Sequence, residues 1–258
     1  MLEKVDLTKK ISKEEYKAKM PQMEIELGRL QRECRELKIP VMIVFEGFGA
    51  SGKGVQIGKL IQSMDPRGFQ VFPVKAETEE ERMHPFLWRF WTKTPEAGRI
   101  AIFDGSWYRK VLIDRFEKRT REKEIETAFH SIEAFEKQLT DGGTILVKLL
   151  LDIDQKEQKK RFLERIDNPA KNWKFSSSDL AERAHFDEYL DVYADVIDAT
   201  ATPESPWYAL PADRKWYTRY LVSEIVLDAL QQCSHAYPQL DAAAQAALKD
   251  CHTQLEAE

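Results

Sequence analysis

Residues 47–53 form a glycine-rich segment that ends in a lysine, and the sequence there reads GFGASGK. It fits the pattern G-x-x-x-x-G-K, in which backbone N–H groups surround phosphate oxygens and the lysine adds a full positive charge. An apolar run precedes the segment and a helical pattern follows it, which is the context that the motif requires. We therefore predict a phosphate loop with Lys53 as a catalytic residue, in place of a chance glycine-rich turn. The predicted phosphate-binding residues are Gly47, Gly49, Ala50, Ser51, Gly52 and Gly54.

The loop lacks the hydroxyl residue that usually follows the lysine and helps to hold Mg²⁺, because Gly54 takes that place. Another residue must then bind the cation. Asp104 directly follows the apolar run 100–103, and acidic residues at the carboxyl ends of neighbouring parallel strands hold Mg²⁺ in folds of this type. We predict that Asp104 is both a metal ligand and a catalytic residue. Two alternatives stay open: Asp104 caps a turn or helix, or Asp152 takes the metal-binding role.

Lysine and arginine are concentrated in residues 156–174, although the whole chain is acidic. On a helix, Arg161 and Arg165 lie four residues apart and share a face. A basic helix and loop above a phosphate loop are typical of a kinase lid, which clamps the transferred phosphoryl group and excludes water. A solvated charged helix is the alternative interpretation. The basic residues of this segment are Lys156, Lys159, Lys160, Arg161, Arg165, Lys171 and Lys174.

Apolar runs of strand length alternate with helical patterns along most of the chain. Runs that are apolar throughout indicate strands buried on both faces, and the alternation predicts a parallel α/β sheet. The predicted strands cover residues 41–45, 69–74, 100–103, 144–151 and 207–210. The predicted helices cover 13–37, 55–64, a helix that follows a capping box at 78–81 and runs through Trp88 and Trp91, 124–139, 155–166, a helix from about Ser178, and 213–232.

The chain has 258 residues, of which 43% are hydrophobic and 32% charged, and its net charge is −5. This composition predicts one globular domain and argues against global disorder, and the acidic balance argues against a general nucleic-acid binder. No apolar run approaches the roughly 20 residues of a membrane span. The first residues lack the apolar core of a signal peptide, and the three cysteines form no CxxC motif. We expect a cytoplasmic protein without a nucleic-acid or membrane partner.

Ordered sequence blocks beyond the phosphate loop give the chain a resemblance to the polyphosphate kinase 2 family of P-loop phosphotransferases. The resemblance runs from about Ile39 to Leu230, and the first residues, which contain LTKK and KEEY, are similar to the polyphosphate:AMP phosphotransferase branch. The blocks are FEG at 45–47, DPRGF at 65–69, TEEER at 78–82, HPFLWRFW at 84–91, IFD at 102–104, SWY at 106–108, KRF at 160–162, WKF at 173–175, PWY at 206–208, PAD at 211–213 and KW at 215–216.

The resemblance implies a three-layer α/β/α P-loop kinase fold with a helical lid at about 156–185. It also implies Mg²⁺-dependent transfer of a phosphoryl group between inorganic polyphosphate and a nucleotide, with AMP to ADP favoured over ADP to ATP. We expect a helical extension at 1–38, the phosphotransferase domain at 39–235, a tail at 236–258, and a homo-oligomer. The expected catalytic residues are Lys53, Asp104 and Arg161. Further expected phosphate or nucleotide contacts are Arg82, Arg89, Arg109, Lys110, Arg165, Lys171 and Lys174.

Two positions depart from the family pattern. The phosphate loop of the family usually carries Asp where this chain has Gly49, and Arg usually follows the strand-end Asp where this chain has Gly105. A missing carboxylate and a missing positive charge would both lower the rate of phosphoryl transfer. Three other hypotheses therefore stay open: a catalytically impaired phosphate-binding or regulatory domain, one half of a tandem protein, and an ordinary nucleotide-to-nucleotide kinase.

Overall fold

Five strands form the central sheet of the computed structural model. They are β1 (Val41–Gly47), β2 (Phe69–Pro73), β3 (Ile100–Asp104), β4 (Ile145–Asp152) and β5 (Trp207–Pro211). Their order in the sheet is β2-β3-β1-β4-β5, and every neighbouring pair is parallel. All residues of β1 are buried, as a central strand covered by helices on both faces requires. The prediction of a parallel α/β sheet is confirmed, and all five strands lie where the sequence predicts them.

The structure describes Leu2 and residues 5–116, 121–231 and 242–256. Cys233 and the other residues between 231 and 242 lie outside the described residues, as do 257 and 258, so the predicted tail is described only in part. The helices are α1 (Lys13–Glu36), α2 (Lys53–Leu60), α3 (Glu79–Arg82), α4 (Trp88–Trp91), α5 (Ile113–Phe116), α6 (Glu122–Asp141), α7 (Gln155–Asp167), α8 (Ser177–Ala184), α9 (Phe186–Thr200), α10 (Lys215–Gln231) and α11 (Ala242–Glu256).

The continuous helix predicted after Thr78 is wrong, because two short helices replace it. The capping box is present, with the Thr78 hydroxyl accepting from the Glu81 N–H, but α3 ends at Arg82 and α4 begins at Trp88. Pro85 lies between them. A proline has no N–H for the helical hydrogen bond and disfavours helical geometry at the residue before it.

The predicted helix at 55–64 is also shorter than expected. Helix α2 already begins at Lys53, directly after the glycine-rich segment, and its α-helical part ends at Leu60. A 3₁₀ turn, Ile61–Ser63, continues it.

Helix α1 packs against α10 and contributes to the same hydrophobic core as the sheet. Its residues Leu27 and Leu30 are buried in that core. Tyr16 stacks on Trp216 at 5.4 Å between ring centroids and accepts a hydrogen bond from Arg219 Nη1 at 2.8 Å. The domain boundaries proposed from the sequence stay a prediction, because shared packing does not test them.

A charged network crosses the core beside β4. Lys148 is fully buried, and its Nζ lies 2.7 Å from Glu136 Oε2 and 2.8 Å from the Thr200 carbonyl oxygen. The same glutamate accepts hydrogen bonds from Trp107 Nε1 and from the Tyr108 hydroxyl. Burial lowers the pKa of Lys148, and the adjacent Glu136 opposes that shift. The network joins β4 to α6, to the end of α9 and to the turn after β3.

Within the part of the chain that the structure describes, every helix is too short or too polar to cross a lipid bilayer.

Candidate active site

The predicted phosphate loop (residues 47–54) connects β1 to α2 at the carboxyl edge of the sheet. Gly47 and Gly52 have φ angles of +134° and +108°, which bend the chain sharply on either side of the loop. Lys53 is the first residue of α2, and its ammonium donates to the carbonyl oxygens of Gly47 and Phe48. The strand, loop and helix that the motif needs are therefore all present, and the lysine charge lies inside the loop.

Arg161 of α7 lies against the same loop, where it is only 5% exposed. Its guanidinium has five N–H donors, and all five are hydrogen-bonded within the protein. This arrangement stabilises the conformation of the loop through its carbonyl oxygens. The sequence, in contrast, predicts that Arg161 closes over the phosphoryl group as part of the lid. The acceptors are Glu157 Oε1 at 2.9 Å, the carbonyl oxygens of Ala50 and Ser51 at 3.0 Å each, and those of Ala212 and Asp213 at 2.8 and 3.0 Å.

Asp104 ends β3 beside the loop, and the register pairs it with Phe45 of β1. Its carboxylate faces the start of α2, because a Cβ added to Gly54 would lie 3.8 Å from Asp104 Oδ2. The missing side chain at position 54 therefore leaves room between this carboxylate and the loop.

A second carboxylate, that of Glu46, is buried directly before the loop. It accepts a hydrogen bond from Ser106 Oγ at 2.7 Å. Burial raises the pKa of Glu46, while the hydrogen bond from Ser106 and the charge of Lys53 oppose the shift. Within residues 5–116, 121–231 and 242–256, no three His, Cys, Asp or Glu side chains cluster as a complete metal site. Mg²⁺ does not need such a cluster, since it is commonly held by one or two carboxylates together with phosphate oxygens and water.

Asp152, the competing candidate, ends β4. It is 8% exposed, and burial together with the nearby Asp213 carboxylate raises its pKa to about 6. The Asp213 carboxylate accepts from the Asp154 backbone N–H at 2.9 Å, and the segment after β5 is bound by Arg161. Asp152 thus belongs to an acidic group with Asp154 and Asp213, and the choice between Asp104 and Asp152 as the metal ligand stays a prediction.

The lid reaches the loop at Gly49. Glu182 Oε1 of α8 accepts a hydrogen bond from the Gly49 N–H at 2.6 Å, and Gln158 Nε2 of α7 donates to the Gly49 carbonyl oxygen at 3.2 Å. A Cβ at position 49 would lie 2.7 Å from Asp179 Oδ1, a separation that real side chains essentially never show. Burial raises the pKa of Glu182, and the charge of Lys53 acts against that shift.

Gly105 follows Asp104 with a φ of +76°, in the left-handed region. A side chain there would be strained, since non-glycine residues rarely adopt this conformation. The positive charge that the resemblance places at this position would therefore require a different backbone path. Nearby, Arg109 Nε lies 3.5 Å from Asp114 Oδ1.

The remaining basic residues named from the sequence lie in different surroundings. Arg89 is buried and pairs with Glu81 at 3.1 Å, and its Nη2 donates to the Lys75 carbonyl oxygen. Arg165 Nη1 donates to the Lys174 carbonyl oxygen at 2.9 Å, within the lid. The side chains of Arg82, Lys171 and Lys174 are exposed, and Lys110 is partly buried in the turn after β3.

A cleft of about 1080 Å³ opens beside the lid contact, between the α5–α6 region and helices α8 and α9. Glu182, Arg115, Arg121, His185 and Tyr189 are among its lining residues. The cleft therefore borders Glu182, the lid residue that contacts the loop, and presents basic, aromatic and acidic groups, the last including Glu122, Glu188 and Asp191.

Sequence reasoning missed the roles of Glu46, Ser106, Asp179 and Glu182. Glu46 could have been noticed, because it stands directly before the first loop glycine. Glu182 gave no signal, because it is separated from Gly49 by 133 positions and only the folded chain brings the two together.

Comparisons with known proteins agree on one family. The model of polyphosphate kinase 2 matches residues 10–238. The chain is 36% identical over 231 residues to the polyphosphate:AMP phosphotransferase of Pseudomonas aeruginosa, an alignment that covers 90% of this chain and 47% of that protein. It is 37% identical over 227 residues to the ADP-polyphosphate phosphotransferase of Rhodopseudomonas palustris, with 83% and 78% covered.

Solved structures give the same result. The crystal structure of polyphosphate kinase 2 from Arthrobacter aurescens TC1 matches with a TM-score of 0.90 and 36% sequence identity, over 96% of this chain and 92% of that one. The P-loop kinase fold is therefore confirmed. The comparisons do not support the hypothesis of an impaired domain. The chain spans about half the length of the Pseudomonas aeruginosa relative, and the hypothesis of a tandem protein stays untested.

Proposed function

The chain belongs to the polyphosphate kinase 2 family, and from this membership we propose that it transfers a phosphoryl group between inorganic polyphosphate and an adenine nucleotide. The observation that carries the proposal is that the loop lysine and a strand-end carboxylate lie at the same edge of the sheet. Lys53 lies inside the loop, and the Asp104 carboxylate faces Gly54, which has no side chain. A positive charge, loop N–H groups and a carboxylate at one edge of the sheet suit phosphoryl transfer, which depends on positioning and charge neutralisation.

We assign the residues their roles as follows. The loop N–H groups and Lys53 bind the phosphate that is transferred. Arg161 is a positioning residue, because its guanidinium contacts loop carbonyls. The exposed lid residues Lys171 and Lys174 are available to the negative charge of a long phosphate chain. No covalent intermediate with the protein is needed.

Mg²⁺ is the proposed cofactor, and Asp104 is the residue that would hold it. The fit rests on the Asp104 carboxylate, which faces the start of α2 at Gly54 with no side chain between them, and on the preference of Mg²⁺ for few carboxylates together with phosphate and water. When bound, the cation would neutralise charge on the phosphates.

AMP is the favoured acceptor, giving ADP, and ADP to ATP is the second candidate. The name of the Pseudomonas aeruginosa relative specifies AMP, that of the Rhodopseudomonas palustris relative specifies ADP, and a Meiothermus ruber relative carries both. The cleft of about 1080 Å³ beside the lid has room for a nucleotide. The homo-oligomer and the cytoplasmic location stay predictions.

Separate reactions with polyphosphate and Mg²⁺ plus either AMP or ADP test the proposal, with nucleotides resolved by chromatography. We expect ADP from AMP at the higher rate. A parallel reaction with ATP and AMP but no polyphosphate tests the ordinary nucleotide kinase. ADP formed from ATP and AMP, with no product from polyphosphate, would contradict the proposed function. The absence of any phosphoryl transfer at high protein concentration would contradict it as well.

A further inference from the structure

We propose that Glu182 inhibits phosphate binding by the phosphate loop. Its carboxylate accepts the hydrogen bond of the Gly49 N–H, and a phosphate chain has to displace the carboxylate in order to bind there. This inference rests on the proposed function, because it assumes that the loop receives phosphate. We call the contact between the Glu182 carboxylate and the Gly49 N–H the acidic latch.

The acidic latch binds the Gly49 N–H, a backbone donor that the loop would otherwise offer to phosphate. Gly49 lies within the segment whose backbone N–H groups surround phosphate oxygens, and its N–H is bound to Glu182 Oε1 at 2.6 Å. One N–H cannot donate a full hydrogen bond to a carboxylate and to a phosphate oxygen at the same time. The two anions also repel each other in this partly buried site. Phosphate binding at Gly49 and the latch therefore exclude one another.

The lid and the loop are shaped for this contact. Position 49 has no side chain, and a Cβ there would lie 2.7 Å from Asp179 Oδ1 and 3.3 Å from both Glu182 Oε1 and Phe162 Cζ. Only a glycine at this position lets α8 come so close. Two carboxylates of one short helix thus lie over the loop at Gly49.

Contacts from α7 hold the latch in place. Gln158 Nε2 donates to the Gly49 carbonyl oxygen, and Gln158 Oε1 accepts from Arg183 Nη1 at 3.0 Å. Arg183 Nη1 also donates to the Gln155 carbonyl oxygen at 2.7 Å. Both backbone polar groups of Gly49 are therefore bound by the lid, and Arg183 links α8 back to α7. Displacing Glu182 removes a direct hydrogen bond between α8 and the loop, so phosphate binding weakens the attachment of the lid.

The test compares the affinity of tripolyphosphate for four forms of the full chain by isothermal titration calorimetry. The forms are the wild type, Glu182→Ala, Glu182→Gln and the control Glu164→Gln. Glu164 is an exposed residue of α7 in the same lid, so its variant makes the same charge change as Glu182→Gln away from the loop. Thermal melts establish that each variant is folded.

We expect Glu182→Ala to bind tripolyphosphate roughly tenfold more tightly than the wild type, since a charge-assisted hydrogen bond commonly contributes a factor of that order. Glu182→Gln keeps an oxygen acceptor but loses the charge, so we expect a smaller shift in the same direction, and none for Glu164→Gln. Without tripolyphosphate, hydrogen exchange in a peptide covering residues 47–54 should be faster in Glu182→Ala than in the wild type.

Equal or weaker binding of tripolyphosphate by both Glu182 variants would overturn the latch, whatever the exchange in the loop peptide. The outcome is separable from the proposed function. A wild type that forms ADP from polyphosphate while the Glu182 variants bind no more tightly contradicts the latch alone. Variants that bind tripolyphosphate more tightly, in a protein that transfers nothing to AMP or ADP, contradict the proposed function alone.

Discussion

At the scale of single residues, Lys53 is tied to the loop that it is proposed to serve. Its ammonium donates to the carbonyl oxygens of Gly47 and Phe48, so the charge is oriented inward. Glu46 and Glu182 both experience that charge, because Lys53 opposes the rise in the pKa of each. The charge of one lysine thus favours the ionised form of two carboxylates in a site that is proposed to bind a polyanion.

We expect Lys53→Ala to lower phosphoryl transfer from polyphosphate to AMP by at least about 100-fold, because a fixed positive charge at the phosphate is removed. Steady-state rates of ADP formation measure the effect. Lys59→Ala is the control, since Lys59 is exposed on the same helix and its Nζ donates to Gln62 Oε1 at 2.9 Å. Retained transfer by Lys53→Ala would mean that the phosphate site lies elsewhere.

The raised pKa of Asp152 predicts that the stability of the folded protein depends on pH. Its pKa is about 6 in the folded protein, raised from 3.8 by burial and by Asp213. Above pH 6 the buried carboxylate is ionised and destabilises the folded state, and protonation relieves that penalty as the pH falls toward 4. We expect Asp152→Asn to raise the free energy of unfolding at pH 8 by about 1–3 kcal/mol.

Urea unfolding of both proteins at pH 8 and pH 4.5 measures this difference. The gain should shrink to about a third at the lower pH, because the carboxyl is then largely protonated in the folded state but still mostly ionised in the unfolded state. A gain of the same size at both values would show that the side chain acts through packing instead of charge.

At the scale of elements, Arg161 joins the phosphate loop to the segment that follows β5. Four of its five hydrogen bonds reach backbone carbonyls in these two segments. These segments are far apart in sequence, and Arg161 of α7 links them directly, beside the contact of Gln158 with Gly49.

We expect Arg161→Ala to lower the free energy of unfolding by about 3 kcal/mol, since it leaves buried carbonyls and Glu157 without their donor. Transfer should fall as well, because the loop loses its support. Arg214→Ala is the matched control: this exposed arginine is adjacent to Asp213, whose carbonyl Arg161 binds. An Arg161→Ala protein as stable as the control would contradict the positioning role.

Elements were predictable to the extent that local sequence decides them. The strands were found because continuous apolar runs have few other places in a parallel fold. The helix from Thr78 to Trp91 was predicted as one because its capping box is strong, and Pro85 divides it. The lid was found from its charge, but its contact with Gly49 depends on how α8 folds back over the loop, which no local pattern records.

At the scale of the whole molecule, the buried network around Lys148 connects the sheet to three other parts of the fold. Its ammonium contacts Glu136 of α6 and the carbonyl oxygen of Thr200 at the end of α9. Trp107 and Tyr108, which follow β3, complete the set around the glutamate. A charge in the middle of a core strand is thus fully compensated by its surroundings.

We expect Lys148→Met to lower the free energy of unfolding by about 3–5 kcal/mol, because the Glu136 carboxylate is left buried without its partner. The double variant Lys148→Met with Glu136→Gln should recover part of this loss, since the amide still accepts from Trp107 and Tyr108. Denaturant unfolding of the single and double variants checks both expectations. Equal destabilisation of the two would contradict the role of the unpaired charge.

The net charge of −5 does not reflect the distribution of charge around the phosphate loop and the lid, where the protein is proposed to act. The lysine side chains of the lid are exposed, whereas the acidic residues Asp179 and Glu182 lie against the loop at Gly49. The sequence was sufficient to predict the loop, its lysine and the strand-end aspartate. It was insufficient for the surroundings of the loop, because these depend on contacts across more than 100 positions.

The close approach at Gly49 also limits how this protein can exchange parts with its relatives. A loop that carries a side chain at position 49 fits this chain only if the Asp179 carboxylate moves, since its Cβ would lie 2.7 Å from Asp179 Oδ1. The loop and helix α8 should therefore be exchanged together, although more than 100 residues separate them in the sequence. Chimeras that cross over between residues 54 and 177 would divide this pair, and those that transfer both segments together would preserve it.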